Sequence, residues 1–292
     1  MKSEIARMSA VLRGLRQTLY DRDFVEVPTP VARKADCGFR PRPSVELGER
    51  KFLREAVGPA LRMNLEYHPR VFDLGPCFRY DAPDSSHSPE FLMLDLYAAG
   101  EDMGFLIGLV RALVEPVLDR ELEVVSVAAH IHQAVGVDPA VAEEEEVRVA
   151  LVRHLHLAGF TTMYAAVERL FERDLEPLSS GRAILFADLP LGTEVCARRK
   201  EGTSAVLNRF ELFVDGLEVV HGYEDEVDND EFVQRASEIL FLNSEQQAVQ
   251  DSILAGGVPA RSVGMGIGIE RLCALASGGG SSVADFRFSP GF

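Results

Sequence analysis

Apolar residues at the start of the chain recur at helical spacing. Ser3 is suited to cap a helix N-terminus, and the apolar positions after it are Ile5, Met8, Leu12, Leu15 and Leu19. This periodicity predicts an amphipathic helix that ends near Asp21. A short apolar run at 24–27, closed by Pro28 and Pro30, predicts a strand directly after the helix.

Later apolar runs have the length and composition of strands. They lie at 71–74, 77–80, 91–97 and 183–187. Gly75-Pro76 separates the first two. Helical periodicity covers 103–117, whereas 120–182 has weak periodicity and is predicted to be a helical elaboration. Runs of strands accompanied by helices predict an α+β fold, with an antiparallel sheet flanked by helices.

Two further strand runs flank an Asp-Gly pair at 215–216, which is a strong signal for a two-residue hairpin turn. A regular hairpin pairs Glu211 with Val220. It places Glu211, Glu218 and Val220 on one face, because side chains alternate along a strand. His221 then points away unless the strand bulges. Two glutamates this close lie on a solvated surface or bind a cation such as Mg²⁺, and geometry alone leaves both readings open.

The composition is that of an ordinary globular protein with a large acidic excess. Its 292 residues are 47% hydrophobic and 26% charged, with a formal net charge of −16. That charge argues against a tRNA-binding surface, because phosphate backbones need basic partners. The four cysteines form no CxxC pair, which argues against a zinc cluster or a disulfide framework. No apolar run approaches membrane-spanning length, so we predict no membrane association and a cytoplasmic location.

Four segments together resemble the class II aminoacyl-tRNA synthetases. The segment at 71–95 reads VFDLGPCFRYDAPDSSHSPEFLMLD and the one at 264–272 reads GMGIGIERL, similar to motifs 2 and 3 of that family. FVEVPTP at 24–30 is similar to motif 1, and RFELFVDGLEVVHGY at 209–223 is similar to the metal-binding hairpin of the lysine branch. The resemblance implies one catalytic domain over residues 1–292 and a homodimer built on the first helix and strand.

The resemblance also implies roles for individual residues. Arg79 and Arg271 would be catalytic, and Arg79 would hold the substrate carboxylate and the α-phosphate. Phe91 and Arg271 would enclose adenine by stacking. The implied ATP-binding residues are Arg79, Asp81, His87, Phe91, Glu211 and Arg271.

The implied metal ligands for Mg²⁺ are Glu211 and Glu218, and the implied substrate-binding residues are Asp95, Tyr97, Val220 and Asp225. Several positions depart from the family pattern, among them His221, where an asparagine is usual, and Asp225, which stands near the position of a glutamate. Ser86 replaces an arginine, and Gly58 begins a GPALR segment where the family has a glutamate. Val220 replaces a glycine, which is expected to shorten the pocket and favour an amino acid smaller than lysine.

We therefore expect ATP-dependent formation of an aminoacyl adenylate. The predicted first helix starts at Ser3, which leaves no anticodon-binding domain before it and resembles the elongation factor P lysine ligases. The expected acceptor is a protein, a carrier protein or a small amine, and tRNA is not expected. Two alternatives stay open: a minimal tRNA synthetase, and an inactive paralogue that binds a partner. Ser86 favours the inactive paralogue, whereas retention of Arg79 and the glutamate pair favours an enzyme.

Overall fold

The chain folds into two compact units, Met1–Asp119 with Ser237–Phe292, and Arg120–Ala236. In the computed structural model, the described residues are 2–34, 45–49, 51–80, 82–238, 244–278 and 281–286. Residues Met1–Asp119 with Ser237–Phe292 are called the first unit, and Arg120–Ala236 the second unit. A single catalytic domain over 1–292 stays a prediction.

The first unit consists of a sheet with helices packed on it. Its elements are α1 Lys2–Tyr20, β1 Val25–Glu26, β2 Ala32–Arg33, β3 Glu46–Gly48, β4 Lys51–Leu53, α2 Gly58–Arg62, β5 Arg70–Phe78, β6 Glu90–Ala99, α3 Met103–Leu118, α8 Ser244–Leu254, β11 Ser262–Gly268 and α9 Ile269–Leu275. The strand order is β1-β5-β6-β11, parallel between β1 and β5 and antiparallel elsewhere. Strands β2, β4 and β3 form a separate small antiparallel sheet.

Two details of the first unit differ from the sequence predictions. The runs predicted at 71–74 and 77–80 are one strand, β5, which continues through Gly75-Pro76. The missing N–H of Pro76 is tolerated because β1 pairs with β5 only at Val71 and Phe72. Helix α1 begins at Lys2, before the predicted start at Ser3.

The second unit contains four strands of the sheet and a core formed by helices on one side. Its elements are β7 Leu122–Ser126, α4 Val127–Val135, α5 Glu144–His154, α6 Met163–Leu170, β8 Ala183–Ala187, β9 Arg209–Val214, β10 Leu217–Glu224 and α7 Asn229–Glu238. Strand β7 is parallel to β8, and β8, β9 and β10 are successively antiparallel. The core packs residues of α4, α5 and α6 against β8 and β9.

The predicted Asp-Gly hairpin is confirmed. Asp215 and Gly216 have φ of 50° and 83°, the two positive values that a type I′ turn requires. The α+β class with largely antiparallel pairing and flanking helices is confirmed as well. Within the described part of the chain, no helix is both long enough and apolar enough to cross a bilayer.

Candidate active site

On one face of the first unit's sheet, glycines of β11 lie beside larger side chains of β6. This face of β5, β6 and β11 is called the floor. Gly264, Gly266 and Gly268 on β11 are paired with Tyr97, Asp95 and Met93 on β6. Side chains directly opposite each other lie on the same face. A Cβ added to Gly264 would lie 2.5 Å from the ring of Tyr97, so only glycine lets that ring lie across β11. Gly264 therefore provides the room that the Tyr97 ring occupies on this face.

Arg79 lies on the same floor, immediately after β5. Its guanidinium carbon lies 5.0 Å from the centroid of the Phe91 ring, within the range of a cation–π contact. Its Nε donates to the carbonyl of Glu55 at 3.3 Å, and its backbone N–H donates to Pro89 at 2.8 Å. The structure thus brings together Arg79 and Phe91, which the resemblance assigns to the α-phosphate and to adenine.

Asp95 and Tyr97 are buried on this floor. Asp95 Oδ2 accepts a 3.1 Å hydrogen bond from the backbone N–H of Val57, just before α2. A Cβ on Gly58 would lie 3.3 Å from the Tyr97 hydroxyl. The position where the family has a glutamate therefore adjoins the tyrosine predicted to bind substrate.

Cys77 is also buried on this floor, opposite Phe91 in the register of β5 and β6. Burial raises the pKa of its thiol to about 12, and the charge of Asp95 adds to the effect. The thiol is therefore protonated and inert at neutral pH.

The loop between β5 and β6 is organised around Asp84. Its carboxylate accepts bonds from the backbone N–H groups of Ser86 and His87 at 2.6 and 2.7 Å and contacts the His87 ring at 3.0 Å. The backbone bond from Ser86, with the His87 ring, holds the pKa of Asp84 well below its usual value. Arg271 Nε on α9 donates to the carbonyl of Ser86 at 3.2 Å. His87 and Arg271 thus lie at one loop, and Asp81 is outside the described residues.

In the second unit, the hairpin register corrects one prediction. Glu218 is paired with Phe213 as expected, but a bulge follows, so that Val220 is opposite Leu212 and His221 is opposite Glu211. The predicted pairing of Glu211 with Val220 is wrong, because the bulge adds one residue to β10. Val220 shares the face of Leu212, away from Glu211. The expectation of an amino acid smaller than lysine, which depended on Val220, is therefore withdrawn.

His221 takes the place on the glutamate face that was predicted for Val220. Its Nδ1 lies 3.7 Å from Glu218 Oε1. Glu211 and Glu218 still share this face, as predicted, because Glu211 is opposite His221. The sequence indicates that His221 can reach this face only if the strand bulges, but no residue type in the strand predicts the bulge.

Glu211 lies at the edge of an apolar cluster. Phe186 is its partner on β8, and the Phe186 and Phe213 rings are 5.9 Å apart. Burial raises the pKa of Glu211, the Arg209 guanidinium lowers it, and the carboxylate of Glu218 raises it again. Arg209 and Glu211 form a direct ion pair. Arg209 was missed in the sequence, although its spacing of two from Glu211 along a strand was a usable signal.

Three acidic residues lie at the end of β10 and directly after it, at 224–226, and two of them are bound to structural arginines. Glu224 is paired with Arg198 at 2.9 Å, and Glu226 is paired with Arg235 at 2.5 Å. Asp225 has the parity of His221 and Tyr223 and is buried. The register that was ambiguous in the sequence therefore favours Asp225 on the glutamate side of the strand.

Comparison with known proteins gives the family. The family model "tRNA synthetases class II (D, K and N)" matches residues 1–286. The chain belongs to this class II synthetase family. The family is ATP-dependent and normally uses Mg²⁺. The resemblance recognised in the sequence is thereby confirmed.

Three relatives of this class II synthetase domain have names that refer to lysine, to β-lysine or to a lysyl product. It is 27% identical to a lysine–tRNA ligase of Kineococcus radiotolerans over 95% of this chain and 62% of that protein. It is 25% identical to an elongation factor P–(R)-β-lysine ligase of Hamiltonella defensa, over 94% of this chain and 91% of that one. It is 27% identical to the lysylphosphatidylglycerol biosynthesis bifunctional protein LysX of Mycobacterium avium, over 94% of this chain and 26% of that protein. The chain spans 62% and 60% of the first two lysine–tRNA ligases it matches.

The carboxylates of the second unit fit the metal that this synthetase family uses. Among the described residues, no group of three His, Cys, Asp or Glu side chains converges to hold a metal. That excludes a cage made only of protein ligands there and leaves the pair Glu211 and Glu218. Mg²⁺ is typically bound by one or two carboxylates, with waters and substrate phosphates completing its coordination. The pair suits this ion.

Proposed function

We propose that this class II synthetase domain activates an amino acid with ATP, forming an aminoacyl adenylate, and passes the acyl group to an acceptor other than a decoded tRNA. The observation that carries the proposal is Arg79 stacked on Phe91, on the floor that also holds Asp95 and Tyr97. An arginine fork in that position suits the carboxylate and α-phosphate that react.

The chemistry asks little of the protein beyond placement and charge. An oxygen of the substrate carboxylate attacks the α-phosphorus of ATP. A bond forms between that oxygen and the phosphorus, and the bond from the phosphorus to pyrophosphate breaks. The carboxylate is already ionised, so no general base is required, and catalysis comes from positioning and electrostatics. Arg79 would neutralise the α-phosphate, and His87 and Arg271 would meet the outer phosphates and the adenine. Mg²⁺, held by Glu211 and Glu218, would supply further neutralisation of the phosphates.

The acceptor is proposed from the relatives and the charge. Two relatives are named for acceptors or products other than tRNA, and the chain spans most of one of them, the elongation factor P–(R)-β-lysine ligase. A protein, a carrier protein or a small amine would each offer a nucleophile for the adenylate. Lysine–tRNA ligases are also relatives, so a minimal synthetase is the second candidate. The homodimer stays a prediction.

The direct test is ATP–pyrophosphate exchange, screened over amino acids that include lysine, β-lysine, ornithine and shorter diamino acids. We expect magnesium-dependent exchange with at least one of them. Glu218→Gln should lower it by about 100-fold, since even residues that only support metal ligands change metal affinity by roughly 10–100-fold. Glu123→Gln, which alters an exposed glutamate paired with Arg182, is the control and should keep wild-type exchange. If none of the screened amino acids supports exchange, the result would favour the inactive paralogue.

A second expected result concerns tRNA. The net charge of −16 opposes binding to a phosphate backbone. Charging and gel-shift assays with total tRNA at low salt, where electrostatic binding is strongest, should therefore show neither product nor complex. A lysine–tRNA ligase run in parallel confirms that the tRNA is chargeable. Robust charging of any tRNA species by this chain would promote the minimal-synthetase candidate instead.

A further inference from the structure

Arg209 lies beside the proposed metal ligands and is not among the residues assigned to the proposed reaction. It is two residues before Glu211 on β9, so both side chains project from the same face. The two form a direct ion pair, with side chains only 12% and 15% exposed. Water therefore screens this pair weakly, in contrast to ion pairs on an open surface.

The surroundings of Arg209 are acidic. Although its burial lowers the pKa, the carboxylates of Glu211, Glu194 and Glu218 raise it above its usual value. Glu194 is brought here from a separate loop, where its Oε1 accepts from the N–H of Cys196 at 3.1 Å. Like charges held this close need a cation, and Arg209 provides a fixed one. A divalent ion approaching Glu211 therefore meets a positive charge already bound to that carboxylate.

We infer that Arg209 is a positioning residue that holds Glu211 and weakens its hold on a free divalent ion, so that the metal enters together with nucleotide phosphates. The inference rests on the proposed function, because it takes Glu211 and Glu218 as the ligands of Mg·ATP. The phosphates bring negative charge that offsets the guanidinium, whereas a hydrated metal ion alone brings none. The site would thereby avoid filling with metal before ATP arrives.

The test measures metal binding without nucleotide. Mn²⁺ titrations followed by electron paramagnetic resonance are made on wild type, Arg209→Met, Arg209→Lys and the double variant Arg209→Met with Glu211→Gln. Arg209→Met should bind Mn²⁺ at least tenfold more tightly than wild type, because it removes the positive charge. Arg209→Lys should stay near wild type, and the double variant should lose the gain. Arg198→Met, which alters another arginine paired with a buried glutamate, should leave Mn²⁺ binding unchanged.

A second measurement separates positioning from structure. In exchange assays, Arg209→Met should raise the KM for Mg·ATP at least tenfold. Arg209→Lys should keep this KM close to that of wild type. Arg209→Gln, which keeps hydrogen-bond donors, replaces the methionine variant if that variant does not show cooperative unfolding. Mn²⁺ affinity equal to or weaker than wild type in the uncharged variants would overturn the inference. A wild type without exchange would refute the proposed function, yet the Mn²⁺ titrations would still decide this inference.

Discussion

Replacing Arg79 by alanine is expected to lower ATP–pyrophosphate exchange by about 1,000-fold while the protein stays folded. The guanidinium stacks 5.0 Å from the centroid of Phe91 and is anchored to the Glu55 carbonyl, where the proposal places the α-phosphate. Losing a single transition-state donor typically costs about 10²–10³-fold in kcat. Arg79 adds a full charge and a planar fork, so the upper end is expected. Steady-state exchange at saturating ATP measures this loss.

The first unit contains a matched control for this experiment. Arg70 also stacks on a phenylalanine, with its guanidinium carbon 5.1 Å from the centroid of Phe105, and it is paired with Glu101 at 2.8 Å. Arg70→Ala removes the same stacking chemistry at the opposite end of β5 and should leave exchange within about threefold of wild type. Arg79→Lys keeps the charge without the fork and should recover only part of the activity. Equal losses for Arg70→Ala and Arg79→Ala would show that stacking stabilises the fold and that Arg79 is not catalytic.

Arg54→Met is expected to destabilise the protein by about 3–5 kcal/mol. Arg54 is 1% exposed, and its guanidinium donates to Asp73 Oδ2 at 2.8 Å and to the carbonyl of Pro76 at 2.8 Å. Among the residues that the structure describes, removing it leaves the buried Asp73 carboxylate with its two bonds from the N–H and hydroxyl of Thr29. Urea unfolding followed by circular dichroism measures the loss.

The Arg54→Met substitution should also disturb the position of Arg79. The carbonyl of Arg54 accepts from the N–H of Phe78 at 2.9 Å, and the next carbonyl, of Glu55, anchors Arg79 Nε. We therefore expect exchange to fall together with stability. Arg169→Met is the stability control, because Arg169 and Glu172 are both more than half exposed; it should change the free energy of unfolding by less than about 1 kcal/mol. A loss below 1 kcal/mol in Arg54→Met would mean that the buried pair contributes little net stability.

Much of the first unit was predictable because its signals are local in sequence. The position of Arg79 after a strand, the alternation that puts Asp95 and Tyr97 on one face, and the glycines at 264–268 are all features of period two. Their common floor follows once β5, β6 and β11 are neighbours. The break predicted at Gly75-Pro76 was wrong because the effect of a proline in a strand depends on whether a neighbouring strand needs its N–H.

The sequence by itself determined the family, the α+β class, the Asp-Gly hairpin and the placement of Glu211 and Glu218 on one face. Only the tertiary structure decided which residue accompanies them. One extra residue in β10 moves Val220 to the opposite face and brings His221 to Glu211, because a shift of one position reverses every side chain on a strand. The proximity of Arg54 to Asp73, and of Glu194 to Arg209, could not be predicted from the sequence either. Such pairs join separate segments of the chain, and their contact depends on packing that local patterns do not encode.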